Sequence, residues 1–345
     1  MKEEFDKKAL VALQRGLPLQ TAPFRVMADE LGCPEDELLE RIVTWQENGV
    51  IRRVGGVFHS RRMGFRSVLC ACSNKSGKEL AELAEKLQST SGVTHCYERE
   101  PLTTKQEGMF GAPRLWFTFL AEDREFENKL ATLCVRLGEQ PVHILPAVRR
   151  FKTQVILGDS RNVPAHGKEM ESSTLPPLTE RQRNIVALLQ GNVCVAPRLW
   201  VTLAKDLGIQ SADLLSDLHE MRAQGRLKRV AAVLHHQQAG WRANAMALWR
   251  VQETDIERRG QALAAQPEVT HCYARPPFPG FPYTLYAMLH APDWERLDRL
   301  AVRVAKTALL PPPFLLASRR EFIKRSPRYV VTPQLRGHTA VEGNR

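Results

Sequence analysis

Long hydrophobic runs are missing from this sequence of 345 residues, and so is any cysteine pattern that would support a disulfide framework. Apolar runs such as residues 315–317 fall far short of the roughly 20 residues that a helix needs to span a bilayer. Residues 1–6 lack the basic and then apolar order of a secretory signal, which predicts a cytoplasmic protein without a membrane segment. The seven cysteines are odd in number and form no Cys-x-x-Cys motif, which argues against a thiolate zinc site.

Several catalytic signatures are also missing. The sequence contains no phosphate-cradling Gly-x-x-x-x-Gly-Lys, no Gly-x-Ser-x-Gly and no His-Glu-x-x-His, so it does not resemble a P-loop nucleotidase, an α/β-hydrolase or a zinc protease. Acidic residues are outnumbered, because 38 Asp and Glu face 49 Lys and Arg and give a formal net charge of +11. Such a surface favours a polyanionic partner, which is either a nucleic acid or a small ligand rich in carboxylates or phosphates.

The chain is an internal duplication. The segment from Arg53 to His59 reads Arg-Val-Gly-Gly-Val-Phe-His, and 176 residues later Arg-Val-Ala-Ala-Val-Leu-His ends at His235. The phrase Val-Thr-His-Cys-Tyr around His95 returns around His271 at the same offset. A constant offset this long is too large for a solenoid repeat and indicates two copies of one folded unit.

Each copy opens with three short helical patterns and a basic β-like hairpin, which is the order of a winged helix-turn-helix. We expect helices at residues 7–15, 24–31 and 34–47 and a hairpin at 50–58, and in the second copy helices at 180–190, 200–207 and 212–223 and a hairpin at 226–234. The remainder of each copy alternates as β-α-β-β-α-β, which is the ferredoxin-like order. Its strands are expected at 67–73, 93–99, 115–121 and 142–152, and at 243–251, 269–275, 283–291 and 314–324, with helices at 78–88, 125–137, 255–265 and 294–306.

The predicted fold class is therefore α+β, a tandem repeat of winged helix-turn-helix and ferredoxin-like units. The predicted domains are a winged head at 1–64, a sandwich at 65–157, a linker rich in Gly, Ser, Asn and Pro at 158–178, a second head at 179–240, a second sandwich at 241–326 and a polar, frayed tail at 327–345. We expect the two sandwiches to pack together as an internal pseudo-dimer, with pockets between sheet and wing.

The winged heads raise the question of DNA binding. A recognition helix lies against phosphates, so its exposed positions should be neutral or basic. The first recognition helix instead carries five acidic residues against Arg41 alone, and the second carries Asp213, Asp217 and Glu220 against Arg222. Acids at a helix N-terminus are stabilising, so the heads are better interpreted as structural parts than as DNA readers.

Positive charge is concentrated in the wings and in the last strand of each sandwich. Arginine pairs with carboxylates in a bidentate fashion, so arginines converging from these segments could hold a ligand with many carboxylates. For any single arginine the alternative is a solvated basic surface. The candidate ligand-binding arginines are Arg53, Arg149, Arg150, Arg229, Arg275, Arg319 and Arg320.

Two strands carry histidine, tyrosine and arginine at alternate positions. Since alternate residues of a strand share a face, His95, Tyr97 and Arg99 should point the same way. His271, Tyr273 and Arg275 repeat the pattern, and these histidines could move a proton near neutral pH or bind iron. The alternative is that they are hydrogen-bonded structural histidines.

A second pair of histidines follows the wings. His59 and His235 each lead into a Gly-aromatic corner, where an imidazole could cap a flat ligand or hydrogen-bond a turn. The stretch at 276–283 is rich in proline and aromatic residues, so Trp241, Phe281 and Tyr283 are candidate walls for a flat apolar ring.

At this point the residues resemble a known family. The winged head followed by β-α-β-β-α-β resembles the Lrp/AsnC regulators in both copies. The phrases Arg-Val-Ala-Ala-Val-Leu-His-His at 229–236, Gly-Trp-Arg-Ala-Asn-Ala-Met-Ala-Leu-Trp at 240–249 and Val-Thr-His-Cys-Tyr-Ala-Arg at 269–275 resemble the siroheme decarboxylases. The match reaches to about residue 325 and is specific in the second copy. In the first copy, Ser-Val-Leu-Cys-Ala-Cys at 67–72 replaces the Ala-Asn-Ala-Met phrase.

The resemblance implies a carboxy-lyase that removes carbon dioxide from the C12 and C18 acetate side chains of siroheme. The product would be 12,18-didecarboxysiroheme, a precursor of heme d1 or, by the alternative route, of heme b. His271 or His95 would supply the proton of the new methyl group, and His235 or His59 would act as a second acid or as a ligand of the substrate iron. Arginines of the wing and last strand would clamp the remaining carboxylates, beside Tyr97, Tyr273, Trp241 and Tyr283.

This resemblance also implies that no separate cofactor is needed, because the iron belongs to the substrate and the macrocycle takes up the electron pair. A second copy of the chain or a homologous decarboxylase chain is the expected protein partner, and DNA is not. Two other interpretations stay open, a ligand-responsive DNA-binding regulator and a heme-binding sensor without turnover.

Overall fold

The fold is that of a computed structural model, which describes residues 2–72, 75–102, 112–138, 141–153, 156, 175–235 and 238–330. The chain divides into two compact units. The first unit comprises residues 1–63, 174–234 and 328–345, which include both predicted heads. The second comprises residues 64–173 and 235–327, which include both predicted sandwiches.

Both copies contain the same order of helices and strands. The first copy contains α1 (Lys2–Arg15), α2 (Pro23–Leu31), α3 (Glu35–Glu47), β1 (Ile51–Phe58), β2 (Phe65–Cys72), α4 (Gly77–Gln88), β3 (Val93–Pro101), β4 (Leu115–Glu122), α5 (Phe126–Leu137), β5 (Val142–Leu145) and β6 (Arg149–Thr153). The second contains α6 (Glu180–Leu189), α7 (Leu199–Asp206), α8 (Ser211–Ala223), β7 (Leu227–Leu234), β8 (Ala243–Trp249), α9 (Glu253–Ala264), β9 (Val269–Ala274), β10 (Leu285–Ala291), α10 (Trp294–Thr307) and β11 (Phe314–Lys324).

Local sequence explains the helix ends of the first unit. Pro23 begins α2 with a fixed backbone angle, and Gly32 ends it in the left-handed conformation, where its N–H donates to carbonyls of the last turn. Thr179 and Gln182 form a capping box at the start of α6, since the Thr179 hydroxyl accepts from the Gln182 N–H and the Gln182 side chain accepts from the Thr179 N–H. The order of the helices places a helix-turn-helix at α2–α3 and at α7–α8.

The wing of each head is not a hairpin. We predicted β-hairpins at 50–58 and 226–234, but each segment forms one strand, and β1 pairs antiparallel with β7 of the other copy. The exchange extends to the loops after α1 and α6, because the Leu17 N–H donates to the Val230 carbonyl at 2.7 Å and the Val193 N–H donates to the Val54 carbonyl at 2.8 Å. The two heads therefore share one ribbon, in which each strand pairs an edge that it would leave open if it stood alone.

The described start of the tail belongs to the first unit. The Tyr329 hydroxyl lies 2.9 Å from Ser60 Oγ of the first copy, and the Tyr329 N–H donates to Gln190 Oε1 of the second copy at 2.9 Å. Gln190 Nε2 in turn donates to the Val330 carbonyl. The expectation that the tail is frayed from 327 onward is therefore wrong for residues 328–330, because these bonds hold them against both heads.

In its described residues, the second unit is one sheet of nine strands in the order β5-β2-β4-β3-β11-β8-β10-β9-β6. Each ferredoxin-like copy contributes four neighbouring strands, and the two sets are joined where β11 of the second copy pairs with β3 of the first. At the other junction, β6 of the first copy pairs with β9 of the second. Only residues 146–148 separate β5 from β6, so the two ends of the sheet lie close together and the sheet curves back on itself.

The split of the last strand in the first copy differs from the single strand predicted at 142–152. Pro146 has no N–H to donate, so it ends β5, and the chain then passes to the second copy as β6. The equivalent β11 stays continuous and pairs with β8 through Phe314–Ala317 and with β3 from Leu316 onward.

Three apolar cores stabilise the second unit. One lies between the first copy's strands and its helices α4 and α5, and another lies between the second copy's strands and α9 and α10. A third core lies on the other face of the sheet and joins both copies, with Trp116 and Leu145 of the first copy packed among Met246, Tyr286 and Phe314 of the second. This third core confirms the expected packing of the two sandwiches as an internal pseudo-dimer.

The predicted α+β class, with helix-turn-helix and ferredoxin-like parts in tandem, is confirmed. The domain boundaries stay predictions, and most of the linker predicted at 158–178 lies outside the described residues. In the described part of the chain, no helix has the length and apolar character needed to cross a membrane.

The exchanged strand β6 can be tested at Gly260 of α9. A Cβ at Gly260 would collide with the ring of Phe151, which β6 carries across from the first copy. We expect Gly260→Ala to lower the free energy of unfolding by about 1–3 kcal/mol, as overpacking of a core does. The measurement is chemical denaturation monitored by circular dichroism.

The matched control is Gly191→Ala, where a Cβ would meet only the Leu188 carbonyl at an ordinary 3.5 Å. Its expected effect is below about 1 kcal/mol. Equal stability of the two variants would show that Phe151 does not pack on α9.

Candidate functional site

The first histidine row runs along β3. His95, Tyr97 and Arg99 lie on the face opposite Cys96, which packs in the core against the helices. The rings of His95 and Tyr97 stack with centroids 6.4 Å apart, and the Arg99 guanidinium lies 5.2 Å from the Tyr97 ring. The structure thus brings together the three side chains that the alternation predicted to share a face.

The second row, on β9, repeats this geometry. The rings of His271 and Tyr273 are stacked at 6.1 Å, and the Arg275 guanidinium lies 4.7 Å from the Tyr273 ring. Cys272, between them, is buried against α9 on the opposite face. In each row the imidazole is half-buried, and the arginine at the other end extends toward the core shared by the two copies.

Arg99 crosses from the first copy into the second. Its side chain is 6% exposed, Nη1 donates to Ser318 Oγ at 2.8 Å, and Nη2 lies 4.0 Å from Met288 Sδ. Burial lowers the pKa of Arg99 to about 10. Among the described residues no carboxylate lies within salt-bridge distance of Arg99, so its charge has only neutral neighbours there.

Arg275 makes the reciprocal crossing. Nη1 donates to the Leu145 carbonyl of β5 in the first copy, and the guanidinium also faces the Tyr286 ring. Burial lowers the pKa of Arg275, and the nearby Arg150 lowers it further. Within the described ranges, no carboxylate contributes to the electrostatics of Arg275 either. The unit therefore holds two buried cations that lack an acidic partner in its described part.

The sequence did not single out Arg99 as a binding residue, although it is the counterpart of Arg275. The repeat could have identified it, because Arg99 follows Tyr97 by two residues as Arg275 follows Tyr273. The strand register alone could not show that both guanidiniums reach the other copy.

The basic ends of the last strands lie on different faces. Arg150 pairs across the sheet with Tyr273 and shares its face, whereas Arg149 bonds Glu253 of α9 at 2.6 Å on the helix side. Arg319 lies 3.3 Å from Glu100, and Arg320 lies over the Phe322 ring opposite Glu98. Of these four arginines, the structure brings Arg150 alone onto a histidine row.

The aromatic candidates separate into core and surface. Phe281 is 1% exposed and belongs to the shared core, so it is not an open wall. Tyr283 is half-buried, and its ring stacks on the Phe314 ring with centroids 5.2 Å apart. Trp241 and His235 are also half-buried. His143 of β5 is a further histidine that no sequence pattern marked. Its ring stacks on the Phe278 ring with centroids 3.9 Å apart, and burial lowers the pKa of His143.

Three predicted site residues lie in the first unit. Arg53 donates to the carbonyls of Gly191 and Gly56, and burial lowers its pKa to about 10. His59 Nδ1 accepts weakly from the Arg62 N–H at 3.4 Å. Arg229 lines a cavity of about 310 Å³, and burial lowers its pKa. That cavity is cationic, since its lining also includes Arg15, Arg222, Lys228 and a single acid, Glu30.

In the described part of the chain, no three His, Cys, Asp or Glu side chains form a group that could hold a metal ion. The arrangement therefore consists of two imidazole–phenol–guanidinium rows, one per copy. Such rows can bind an anion at the arginine and move a proton at the histidine.

The fold and the rows define a class, a duplicated AsnC-like α+β protein with helix-turn-helix heads. A family model described as "AsnC-like ligand binding domain" matches residues 62–152 and 238–323, and a "Siroheme decarboxylase NirDL-like HTH domain" matches residues 6–52.

Similarity to known proteins identifies the family within this class. The siroheme decarboxylase of Hydrogenobacter thermophilus is 34% identical over 95% of this chain and 96% of its own length. The siroheme decarboxylase NirDL subunit of Paracoccus pantotrophus is 31% identical over 89% and 90%. A crystal structure of the siroheme decarboxylase NirDL matches with a TM-score of 0.67 and 31% identity, covering 95% of this chain and 94% of that one. The chain belongs to the siroheme decarboxylase family, and hence to the carboxy-lyases.

The buried charge of Arg99 generates a prediction about stability. A desolvated cation without an acidic partner lowers the stability of the fold, and such destabilising groups are common at binding sites. Replacing the cation by methionine removes this cost. We expect the free energy of unfolding of Arg99→Met to stay within about 0.5 kcal/mol of the parent protein or to rise. Thermal and urea unfolding measure it.

Arg114→Met is the control, because Arg114 bonds both Glu98, at 2.7 Å, and Glu100. Losing that cation leaves two half-buried carboxylates facing each other, so this variant should lose about 2 kcal/mol. If Arg99→Met is as unstable as Arg114→Met, Arg99 supports the fold and is not held ready for a ligand.

Proposed function

We propose that this protein removes the carboxyl groups of the C12 and C18 acetate side chains of siroheme and releases 12,18-didecarboxysiroheme, on the route to heme d1 or heme b. The observation that carries the proposal is the pair of buried arginines, Arg99 and Arg275, each at the inner end of a row that has a half-buried histidine at its outer end. Siroheme is flat and bears carboxylates around its rim, so it matches cations that have no acid beside them.

The relatives support an iron tetrapyrrole as the ligand. A NirDL crystal structure described as a co-complex with an iron-uroporphyrin III analogue is 31% identical to this chain, with a TM-score of 0.66 and 94% coverage of both chains. Like siroheme, such a ligand would bring its own iron. The iron is therefore substrate, and no separate cofactor is required in this proposal.

Substrate carboxylates that stay on the ring are held by arginines. Arg99, Arg275 and Arg150 lie on the faces of the histidine rows, and the burial of Arg99 and Arg275 strengthens a charge-assisted bond to a carboxylate. Arg149, Arg319 and Arg320 remain candidates for the outer rim of the ligand, and Arg53 and Arg229 remain proposed carboxylate-binding residues of the first unit. Tyr97, Tyr273, Trp241 and Tyr283 are proposed to contact its flat faces.

The chemical step breaks one carbon–carbon bond and forms one carbon–hydrogen bond. The acetate carboxylate leaves as carbon dioxide, and the electron pair of the broken bond spreads into the macrocycle, where charge is stabilised as it develops. The methylene carbon then takes a proton from His271 or His95, which recovers it from solvent. His235 or His59 is proposed as a second acid or as an iron ligand.

Protein partners follow from the names of the relatives. Related chains from Stutzerimonas stutzeri and Methanosarcina barkeri are named subunits, and each spans less than half of this chain. Since both copies are present here, we propose that one chain forms a complete site, and that a second copy or a homologous decarboxylase chain binds to it as partner.

Incubation of the purified protein with siroheme without oxygen tests the activity directly. Mass spectrometry of the extracted tetrapyrrole should show the successive loss of two carbon dioxide molecules. A general acid contributes about 100-fold to 10,000-fold, so His271→Ala or His95→Ala should slow the loss by that order while the absorption titration still shows siroheme binding. Full rates in both variants, or tight promoter binding without turnover, would refute the proposal.

The arginines of the last strand offer a paired comparison. Arg150→Ala removes a cation on the Tyr273 face, and we expect siroheme affinity to fall about tenfold, as the loss of one charge-assisted contact predicts. Arg149→Ala, whose guanidinium already bonds Glu253, should show the smaller loss. Spectroscopic titrations measure both affinities. If Arg149→Ala lost more siroheme affinity than Arg150→Ala, the ligand would lie on the helix side of the sheet.

A further inference from the structure

The second copy extends its histidine row by a hydrogen-bond chain. Thr270 Oγ1 lies 3.3 Å from His271 Nδ1 and 3.2 Å from His290 Nε2, so one hydroxyl joins two imidazoles. Thr270 is 4% exposed and His290 is 9% exposed. A hydroxyl donates only one hydrogen bond. When one ring nitrogen donates to it, the hydroxyl is left to donate in its other contact, so the two hydrogen bonds depend on each other.

The first copy has the first part of this chain and lacks the second. His95 Nδ1 lies 3.0 Å from Thr94 Oγ1, as His271 does from Thr270. Strand register identifies the residue in the place of His290. Thr118 pairs with His95 as Met288 pairs with His271, and the bulge that follows in each copy shifts the register alike. The counterpart of His290 is thus Leu120, which is buried and has no polar side-chain atom.

The difference determines where the threonine hydroxyl sends its proton. In the second copy that hydroxyl can donate to His271 Nδ1 or to the Met288 carbonyl, at 3.3 and 3.4 Å. When His290 Nε2 donates to Thr270 Oγ1, the hydroxyl keeps its own proton for His271 Nδ1 or the Met288 carbonyl, and in the shorter of these contacts Nδ1 is the acceptor. A neutral His271 with an acceptor at Nδ1 carries its proton on Nε2.

The residue opposite His290 also differs from the one opposite its counterpart. Asn244 lies directly opposite His290 on β8, where the first copy has Ser67 opposite Leu120. Asn244 Oδ1 accepts from the Ser318 hydroxyl at 3.2 Å, and Ser318 accepts from Arg99. The chain through His290 therefore borders the contacts that hold Arg99, the arginine that crosses from the first copy.

We propose that His290 is a positioning residue that acts through Thr270 to hold His271 in the tautomer that donates from Nε2, so that the second copy delivers the proton in decarboxylation. The proposal rests on the proposed function. Of the two candidate donors it selects His271 and assigns to the first copy a supporting part, because Leu120 stands there in the place of His290.

The test compares two substitutions of His290. His290→Leu reproduces the first copy, and we expect kcat for carbon dioxide release to fall at least tenfold while KM and the siroheme titration change less than twofold. His290→Gln keeps an N–H near the position of Nε2 and should restore most of kcat. A kcat for His290→Leu above half of the parent value, or equal rates for the Leu and Gln variants, would overturn the proposal, because packing alone would then explain His290.

A second variant and a spectroscopic readout keep the test decisive if His290→Leu does not fold. Thr270→Val breaks the same chain at its centre and should show the same loss of kcat with siroheme still bound. Nitrogen-15 NMR of labelled histidines should report His271 with its proton on Nε2 in the parent protein and a mixed tautomer in either variant.

The NMR result does not depend on turnover, which separates the two hypotheses. If the parent protein leaves siroheme unchanged yet shows the expected tautomer shift, the proposed function fails and the positioning contact stands. If turnover is normal and the His271 tautomer is the same in all variants, the positioning proposal fails alone.

Discussion

Exchange of strands between the two copies is the constraint on which the rest of this structure depends. In the second unit β6 completes the sheet of the other copy, and β11 does the same in the opposite direction. In the first unit β1 and β7 supply each other's only strand partner among the described residues. Each copy alone would leave open strand edges and an exposed apolar sheet face, so neither half is expected to be stable by itself.

The exchange also creates the chemistry of the site. Because the sheet faces of the two copies meet, Arg99 ends among Ser318 and Met288 of the second copy, and Arg275 ends at Leu145 of the first. Several other arginines of this basic protein form ion pairs with Asp or Glu, as Arg114 does with Glu98. A desolvated cation with only neutral neighbours costs stability, and a ligand that carries carboxylates is what would offset that cost.

Duplication followed by divergence explains why the rows match while their surroundings differ. Histidine, tyrosine and arginine occupy equal positions on β3 and β9 and stack at nearly equal distances. The neighbouring strand is free to differ, and Leu120 and His290 show how one substitution turns a packing position into a hydrogen-bonding one. Membership in the siroheme decarboxylase family fits this picture, since some relatives of this chain are separate subunits.

The sequence by itself determined the repeat, the helix and strand order of each copy, and the shared face of His95 with Tyr97, because all three follow from short-range periodicity. It also pointed to the family through phrases such as that around His271. Only the tertiary structure decided that the wings form an inter-copy ribbon, that Arg150 comes to lie opposite Tyr273 of the other copy, and that His290 reaches Thr270. The reason is physical: a residue's periodicity states which way its side chain points, whereas the strand that arrives opposite it is chosen by contacts far away in the chain.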